Sequence, residues 1–403
     1  MSGFFVRSFS YLYSMNNFEA YNPTRIVFGK ENYQRISELL KEQTDVKTVM
    51  FAYGGGSIKS NGVYDEVINA LKGFQVIEFS GIEANPEFTT LMKAVDLVKS
   101  EKVDFILAVG GGSVIDGCKF ISGASTYDGD PWDVLLRKEG CVFTDAVPFG
   151  TVLTIPATGS EANSGAVISR SELDLKLTMG GPLFFPVFSI CDPSVMATLP
   201  KRQVANGVID AYMHTLEQYI TLPTDNLLQE RQAEAILATL IETAPHVIAD
   251  PSDYKWASNL MWCATHALNG NLRLGVPTDW CTHMIGHELT AYFGIDHART
   301  LAIIAPRLYE NQFENKRDKL AQYGERVWKL SGTKDEIARK AIVKTEAFFQ
   351  SLEVETKISS YTEKHAETAR NIRKRFEERN WVAMGERGAI TPSDVEQIVL
   401  AAI

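Results

Sequence analysis

The sequence of 403 residues is poor in cysteine and has no excess of positive charge. Its five cysteines include no Cys-x-x-Cys pair, which gives no disulfide framework, fits a reducing compartment and leads us to expect a cytoplasmic protein. No apolar run reaches the roughly 18 residues of a membrane span. The formal net charge of -10 argues against nucleic acid and anionic membranes as partners. Four cysteines have apolar surroundings and are predicted to be buried thiols: Cys118, Cys191, Cys263 and Cys281.

The first fourteen residues differ in composition from the rest of the chain. They contain several aromatic residues, one basic residue (Arg7) and no acidic residue. They lack a long apolar core and a small-residue cleavage site, so a signal peptide is not expected. Because the sequence from Met15 onward reads as a natural start, we interpret residues 1–14 as an extension of unknown use.

Strand-like and helical runs alternate in the first half of the chain. Strands are predicted at 24–29, 75–81, 151–156 and 187–193, and two further apolar runs end in glycine turns. Such alternation implies right-handed crossovers and a mostly parallel sheet.

After Pro193 the strand signals fade, and amphipathic helical runs such as 228–244 and 318–331 dominate. We therefore predict an α/β dinucleotide-binding domain over residues 15–199 and a helical metal-binding domain over residues 200–403.

Two short windows contain side chains that are typical of metal sites. Asp210 and His214 are four residues apart in a helical run, so they lie one turn apart on the same face. His283 and His287 repeat this spacing, and His297 follows ten residues later. Three of the seven histidines therefore fall in one fifteen-residue window.

This combination predicts one catalytic divalent metal, Fe²⁺ or Zn²⁺, bound by Asp210, His214, His283 and His297. Imidazole suits both metals, and a carboxylate adds negative charge. A site with an open coordination position is catalytic and not merely structural. Any one of these histidines alone is more simply read as a core or surface residue. His287 is either a proton relay in the same pocket or a packing residue.

The turn 110-GGGS-113 follows an apolar strand and precedes a helix. Glycine permits close approach of the backbone, and the amides of a helix N-terminus attract phosphate. With the Ser113 hydroxyl and with Asp116 in the first helical turn, this segment predicts a dinucleotide pyrophosphate site. A plain tight turn is the alternative, since the pattern is not the GxGxxG fingerprint.

The turn 54-GGGS-57 also follows a strand, and no acidic residue occurs between Gly54 and Asn61. Enzymes that prefer NAD commonly hold the ribose hydroxyls with a carboxylate. Ser57 and Lys59 offer donors and a positive charge instead, which favours the 2′-phosphate of NADP(H). The alternative is a surface turn with a solvated lysine.

Together these motifs resemble the iron-dependent (group III) alcohol dehydrogenase family, in particular its NADPH-dependent butanol dehydrogenase-like aldehyde reductases. The resemblance runs from about Phe18 to the C-terminus. It is carried by GGGSVIDG at 110–117, PATGSE at 156–161, the Asp210/His214 pair, and HMIGHE with His297.

The resemblance implies a dehydroquinate-synthase-like fold with an α/β nucleotide-binding domain, an all-α domain and the site in the cleft between them. It also implies NADP(H), a small aldehyde or primary alcohol as substrate, and a homodimer. The metal ligands it implies are Asp210, His214, His283 and His297. The cofactor contacts it implies are Gly55 and Ser57 near the adenosine phosphate, Gly111, Gly112, Ser113 and Asp116 at the pyrophosphate, and Thr154, Thr158 and Lys176 along the cleft.

The expected reaction is hydride transfer from the nicotinamide to a carbonyl that a metal polarises. Apolar residues such as Trp262, Leu268 and Trp280 are expected near the site, where they favour uncharged substrate chains. Two alternatives remain. The chain could be an NAD-dependent diol or polyol dehydrogenase of the same fold, or a metal- and nucleotide-binding protein without turnover.

Overall fold

A computed structural model describes residues 15–403, so the predicted extension over residues 1–14 lies outside the described residues. The first half of the chain forms a six-stranded parallel sheet and a separate antiparallel hairpin. The strands are β1 (Arg25–Phe28), β2 (Thr48–Tyr53), β3 (Gln75–Phe79), β4 (Phe105–Gly111), β5 (Phe149–Ile155), β6 (Gly165–Arg170), β7 (Leu175–Gly180) and β8 (Phe188–Cys191).

The six strands of the large sheet lie in the order β1-β8-β5-β4-β2-β3, and every neighbouring pair is parallel. Strands β2 and β4 are buried on both faces, which explains their near-continuous apolar sequences. Because β2 and β4 are neighbours, the two glycine turns that follow them lie at the same edge of the sheet. Ligands bind at this carboxyl edge in open α/β sheets.

Six helices accompany the strands: α1 (Arg35–Lys41), α2 (Ser57–Ser60), α3 (Val63–Ala70), α4 (Phe88–Glu101), α5 (Gly112–Ala124) and α6 (Pro131–Leu135). Nine more follow: α7 (Lys201–Tyr219), α8 (Leu227–Ala249), α9 (Tyr254–Leu268), α10 (Cys281–Phe293), α11 (His297–Asn311), α12 (Phe313–Arg326), α13 (Lys334–Ser351), α14 (His365–Glu378) and α15 (Pro392–Ala401). Short 3₁₀ helices lie at Ser160–Ala162, Ser171–Leu173, Pro182–Phe184, Pro193–Thr198 and Ile358–Ser360.

The predicted fold class, an α/β half followed by a helical half, is confirmed. Within residues 15–403 no strand of either sheet follows Cys191. The exact division near Leu199 stays a prediction. Among the described residues, no helix is long and apolar enough to cross a membrane. The four cysteines that were expected to be buried are buried and free.

Two helix boundaries differ from the sequence prediction. Helix α8 continues to Ala249 through Pro245, because a buried stripe that includes Leu240, Ala244 and Val247 holds its last turns against the core. Helix α12 begins at Phe313 and ends at Arg326, earlier than the predicted run 318–331. It ends because Lys329 adopts a left-handed backbone (φ 57°) and the Leu330 N–H bonds back to the Gly324 carbonyl at 2.9 Å.

Helix α7 packs directly on the backbone that follows β5. A Cβ atom placed on Gly207 would lie 2.3 Å from the Pro156 carbonyl oxygen, closer than any real contact. Glycine is therefore required at this position, although it lowers helix propensity by about 1 kcal/mol relative to alanine. The contact fixes α7, which carries Asp210, against the sheet.

We predict that Gly207→Ala destabilises the protein by about 2 kcal/mol, because overpacking against a backbone carbonyl outweighs the gain in helix propensity. Denaturant unfolding measures the change. Gly165→Ala is the control, since its added methyl would meet only the Asn163 side-chain oxygen at 3.7 Å. A Gly207→Ala protein as stable as the parent would contradict the prediction.

Candidate active site

Helix α7 carries three buried acidic or imidazole side chains along one face. Asp210, His214 and Glu217 follow one another at intervals of four and three residues, which places them on successive turns of this face. All three are at most 5% exposed. Helix α7 therefore contributes two of the predicted metal ligands and a carboxylate behind them.

Helices α10 and α11 supply the remaining histidines. His283 and His287 lie one turn apart on α10, which ends at Gly294 in a left-handed conformation (φ 66°). This C-cap turns the chain sharply, so that α11 begins at His297 only a few residues later. The turn returns His297 to the side of α10 that carries His283.

The predicted metal ligands converge on one point. One ligand atom each from Asp210, His283 and His297 lie within 4.8 Å of one another. His297 Nε2 is 3.7 Å from Asp210 Oδ1, and His214 Nε2 is 3.9 Å from the same oxygen. The His214 ring also stacks on the His283 ring with centroids 4.7 Å apart. His214 thus adjoins the tightest group of three without being part of it.

Four buried atoms of this cluster have no hydrogen-bond partner: Asp210 Oδ1, His214 Nδ1, His283 Nε2 and His297 Nδ1. Buried polar atoms are normally paired, so orphaned ones need a physical explanation. Burial lowers the pKa of His214 and of His283 to about 4, and the pKa of His297 also falls well below its usual range, chiefly through burial. All three rings are therefore neutral at pH 7, with lone pairs available to a cation. The donor set fits a divalent metal.

His287 lies beside the cluster but outside the tight group. Its ring centroid is 5.0 Å from that of His297 and 6.4 Å from that of His283. Burial and, to a lesser extent, the charge of Lys176 keep its pKa well below the usual range. His287 is thus a neutral imidazole beside the cluster, and its assignment as a catalytic residue stays a prediction.

The glycine turn at 110–113 leads directly into α5. A Cβ on Gly112 would lie 2.3 Å from Thr158 Oγ1, and one on Gly111 would lie 3.1 Å from Ile155 Cβ. Both glycines therefore let the turn pack against the segment that carries Thr154 and Thr158. This close packing accounts for part of the glycine pattern that suggested a phosphate site.

Two side chains near the start of α5 already have partners in the chain. Ser113 Oγ accepts the Asn85 N–H at 3.2 Å. Asp116 accepts the Ser160 hydroxyl at 2.6 Å and the Val167 N–H at 2.9 Å, one on each oxygen. Burial raises the pKa of Asp116, while the positive charge of Lys119 opposes this. The geometry gives Asp116 a structural role, and its contact with the cofactor stays a prediction.

Lys176, on β7, lies close enough to Asp116 on α5 and to Asp210 in the metal-ligand cluster for both charges to act on it. Its ammonium donates to Asn85 Oδ1 at 2.8 Å. Burial lowers its pKa to about 8, although the nearby carboxylates of Asp116 and Asp210 raise it. One lysine therefore places positive charge close to both the α5 turn and the metal-ligand cluster.

The glycine turn at 54–57 is open to solvent. No atom lies within 4 Å of a Cβ placed on Gly55, and α2 begins at Ser57. The Lys59 ammonium lies 4.8 Å from the Tyr64 ring centroid and 5.4 Å from that of Tyr53.

The sheet brings an acidic residue to the two tyrosines whose rings this lysine faces. Glu78 on β3 accepts hydrogen bonds from the hydroxyls of Tyr53 and Tyr64 at 3.0 and 2.7 Å. The sequence analysis did not anticipate this carboxylate, because it comes from the neighbouring strand and not from the turn itself.

Of the apolar residues expected near the site, Trp280 has its ring centroid 5.3 Å from that of His283. Leu268 packs against Gly159 in the segment that follows Thr158, with its Cβ 3.2 Å from a Cβ placed on that glycine. Trp262 instead lies on the surface, 44% exposed, with its ring against Phe28 at 5.4 Å.

Sequence reasoning missed Glu217. Its carboxylate accepts the Thr282 N–H at 2.7 Å and also bonds His283 Nδ1. Second carboxylates of this kind orient metal-binding histidines. The signal was present in the sequence, because Glu217 lies seven residues after Asp210, two turns along the same helical face.

Comparison with known proteins assigns the chain to a family. Residues 23–193 match the family model of iron-containing alcohol dehydrogenase, and residues 204–403 match the model of the C-terminal part of that family. The chain belongs to the iron-containing alcohol dehydrogenase family. Both matched ranges lie within the described residues. The resemblance inferred from the sequence motifs is confirmed.

Several members of the family are similar to this chain over at least nine-tenths of their own length. The NADPH-dependent aldehyde reductase YqhD of Escherichia coli is 49% identical over 94% of this chain and 97% of that protein. Its crystal structure superposes with a TM-score of 0.93 over 97% of this chain and 100% of that chain. A probable NADH-dependent butanol dehydrogenase of Bacillus subtilis is 42% identical over 86% of this chain and 90% of that protein.

A third relative extends the structural match at lower identity. The structure of NADH-dependent butanol dehydrogenase A of Thermotoga maritima superposes with a TM-score of 0.91 at 33% identity. The match covers 97% of this chain and 99% of that chain.

We predict that His283→Ala reduces bound iron or zinc from about one ion per chain to near zero, because it removes a neutral nitrogen from the centre of the cluster. Metal analysis of the purified protein measures this. His246→Ala is the control, since His246 stacks on Trp256 with ring centroids 4.0 Å apart and is not part of the cluster. Full metal content in the His283→Ala protein would remove this residue from the ligand set.

Proposed function

We propose that this member of the iron-containing alcohol dehydrogenase family interconverts small aldehydes and primary alcohols with NADP(H), and that it does so at one divalent metal, Fe²⁺ or Zn²⁺. Asp210, His214, His283 and His297 hold that metal. The proposal rests on the convergence of one ligand atom each from Asp210, His283 and His297, where Asp210 Oδ1 and His283 Nε2 have no hydrogen-bond partner. The name of the E. coli relative, an NADPH-dependent aldehyde reductase, supports the activity.

When bound, the metal supplies Lewis-acid polarisation of the carbonyl and the nicotinamide supplies the hydride. The chain's own residues orient and shield these groups. Asp210 contributes the negative charge of the ligand set, and the three histidines contribute neutral nitrogens. Trp280 presents an apolar ring beside His214 and His283, which excludes water and favours uncharged substrate chains.

The cofactor lies along the carboxyl edge of the sheet in this proposal. The N-terminal amides of α5, at Gly112 and Ser113, take the pyrophosphate. Gly111 lets the turn fold closely, Asp116 fixes α5 through its two bonds, and Thr154 and Thr158 line the cleft. Lys176 adds a positive charge beside the nicotinamide end. Gly55, Ser57 and Lys59 take the 2′-phosphate of the adenosine.

The proposal also covers the domain organisation, the cellular location, the partners and the oligomeric state. The α/β dinucleotide-binding domain comprises residues 15–199, and the helical metal-binding domain comprises residues 200–403. The protein works as a cytoplasmic homodimer, without nucleic acid or membrane partners. The buried free thiols support a reducing compartment, and the net charge of -10 argues against nucleic acid and anionic membranes as partners. The family resemblance supports the dimer.

We predict that the purified protein reduces butanal with a kcat/KM about ten- to hundredfold higher for NADPH than for NADH. One or two charge-assisted bonds to the 2′-phosphate, each about 1.5–3 kcal/mol and partly screened by solvent, give this ratio at 1.4 kcal/mol per decade. Ser57→Asp should erase or reverse the ratio, because a carboxylate repels the phosphate.

The metal content of the Ser57→Asp protein is the control and should not change. Equal efficiency with NADH in the parent would overturn the cofactor assignment and favour the NADH preference named for the B. subtilis relative. A metal-loaded protein without turnover of any small aldehyde or alcohol would overturn the enzymatic proposal itself.

We predict that His287→Ala lowers kcat by about 10²-fold while the metal content stays at the parent value, because His287 relays the proton that the product alcohol needs. The rate with butanal and metal analysis measure the two quantities. His266→Ala is the control, since this half-buried histidine on α9 packs against Trp262. If kcat is unchanged, His287 has only a packing role; if metal is lost, it is a ligand.

A further inference from the structure

A second layer of buried charge lies behind His283. It consists of Glu217 on α7, Asp279 just before α10, Lys316 on α12 and Glu386 near the C-terminus, and the side chain of each is at most 3% exposed. The Lys316 ammonium lies 2.8 Å from Asp279 Oδ2 and 2.9 Å from Glu386 Oε2. The proposed chemistry uses none of the last three residues.

Glu217 determines which nitrogen of His283 carries the proton. One carboxylate oxygen accepts the Thr282 N–H at 2.7 Å, and the other faces His283 Nδ1. An ionised carboxylate only accepts hydrogen bonds, so Glu217 in its carboxylate form places the His283 proton on Nδ1. The lone pair then lies on Nε2, the buried nitrogen that has no partner and belongs to the same cluster as Asp210.

Lys316 ties together the ends of the two ligand-bearing helices. Its ammonium donates to the Ile220 carbonyl at 3.0 Å, at the C-terminal end of α7. It also pairs with Asp279, whose other oxygen accepts the Cys281 N–H at 2.8 Å and so caps the first turn of α10. The Asp279 N–H in turn donates to the Glu217 carbonyl at 3.0 Å. All three donors of the lysine are used.

We propose that Glu217 and Lys316 are positioning residues that determine how tightly the metal is held. Glu217 fixes the His283 tautomer and ring orientation, and Lys316 fixes the spacing of α7 and α10. This inference rests on the proposed metal site. Groups that hold a metal-binding histidine in this way typically change metal affinity by about 10- to 100-fold when they are replaced.

Glu217→Gln is the sharpest test, since it changes one atom and little volume. The amide has one acceptor and one donor group, whereas its two partners, the Thr282 N–H and the protonated Nδ1, both donate. If the amide oxygen takes the Thr282 N–H, the amide NH₂ forces His283 into the tautomer with a proton on Nε2. We expect Zn²⁺ to leave this variant about 10- to 100-fold faster than the parent in competition with a chromophoric chelator.

Lys316→Met tests the second residue. We expect it also to accelerate Zn²⁺ release by about tenfold or more, because the ends of α7 and α10 lose their common partner. In Co²⁺-substituted protein, both variants should change the visible absorption bands, which report the coordination geometry and are insensitive to loss of stability elsewhere.

The chain contains matched controls for both variants. Lys319 also lies on α12, is 4% exposed and pairs with the buried Glu230 of α8, a pair that contacts none of the four proposed ligands. Glu230→Gln and Lys319→Met therefore remove comparable buried charges at a comparable structural cost. They should release Zn²⁺ at the parent rate and leave the Co²⁺ spectrum unchanged.

The outcomes separate the inference from the proposed function. Fast Zn²⁺ release and an altered Co²⁺ spectrum in Glu217→Gln and Lys316→Met, with parent behaviour in both controls, support the inference. A Glu217→Gln protein that holds Zn²⁺ as long as Glu230→Gln overturns it, and parent-like release by Lys316→Met overturns the part assigned to the lysine. If Lys316→Met does not fold, Glu217→Gln still decides the role of the carboxylate. A parent protein that binds neither Zn²⁺ nor Co²⁺ overturns the proposed metal site instead.

Discussion

Asp210 is a buried carboxylate without enough hydrogen-bond donors, and the rest of the site is arranged around it. It is 3% exposed, and its Oδ1 has no hydrogen-bond partner. A carboxylate that leaves water needs a counter-charge or several donors to offset the loss of hydration. The imidazoles around it are neutral at pH 7, because burial lowers the pKa of each. A divalent cation at the centre of the cluster, as proposed above, would satisfy the carboxylate and the nitrogen lone pairs together.

Contacts from both halves of the chain fix the position of α7, the helix that carries Asp210 and His214. Near its start, α7 meets the backbone of Pro156, where only a glycine at 207 fits. At its end, the Ile220 carbonyl is bound by Lys316. Asp210 and His214 lie between these two fixed points. The proposed metal ligands are therefore placed by contacts outside the site itself, which is how a rigid scaffold maintains the geometry that catalysis requires.

Local spacing in the sequence predicted part of this site, and long-range contacts determined the rest. The four-residue intervals of Asp210/His214 and His283/His287 follow from helix geometry, and the glycine turns follow from strands that end at one sheet edge. Glu217 could have been predicted from its position two turns after Asp210. The pairing of Lys316 with Asp279 and Glu386 could not, since no local pattern relates residues on separate elements. For the same reason the sequence did not anticipate Glu78 beside the tyrosines of the first glycine turn.

The hairpin of β6 and β7 links the cofactor turn to the metal cluster electrostatically. Its backbone is bound to the α/β half through the Val167 N–H on Asp116 and through the Gly165 carbonyl on Lys119. These bonds hold Lys176, on the second strand, at a fixed place where its charge acts on Asp116 and Asp210. After burial, the same charge is the next largest cause of the low pKa of His287 and of His297. One buried cation is thus shared by the start of α5 and the histidine cluster.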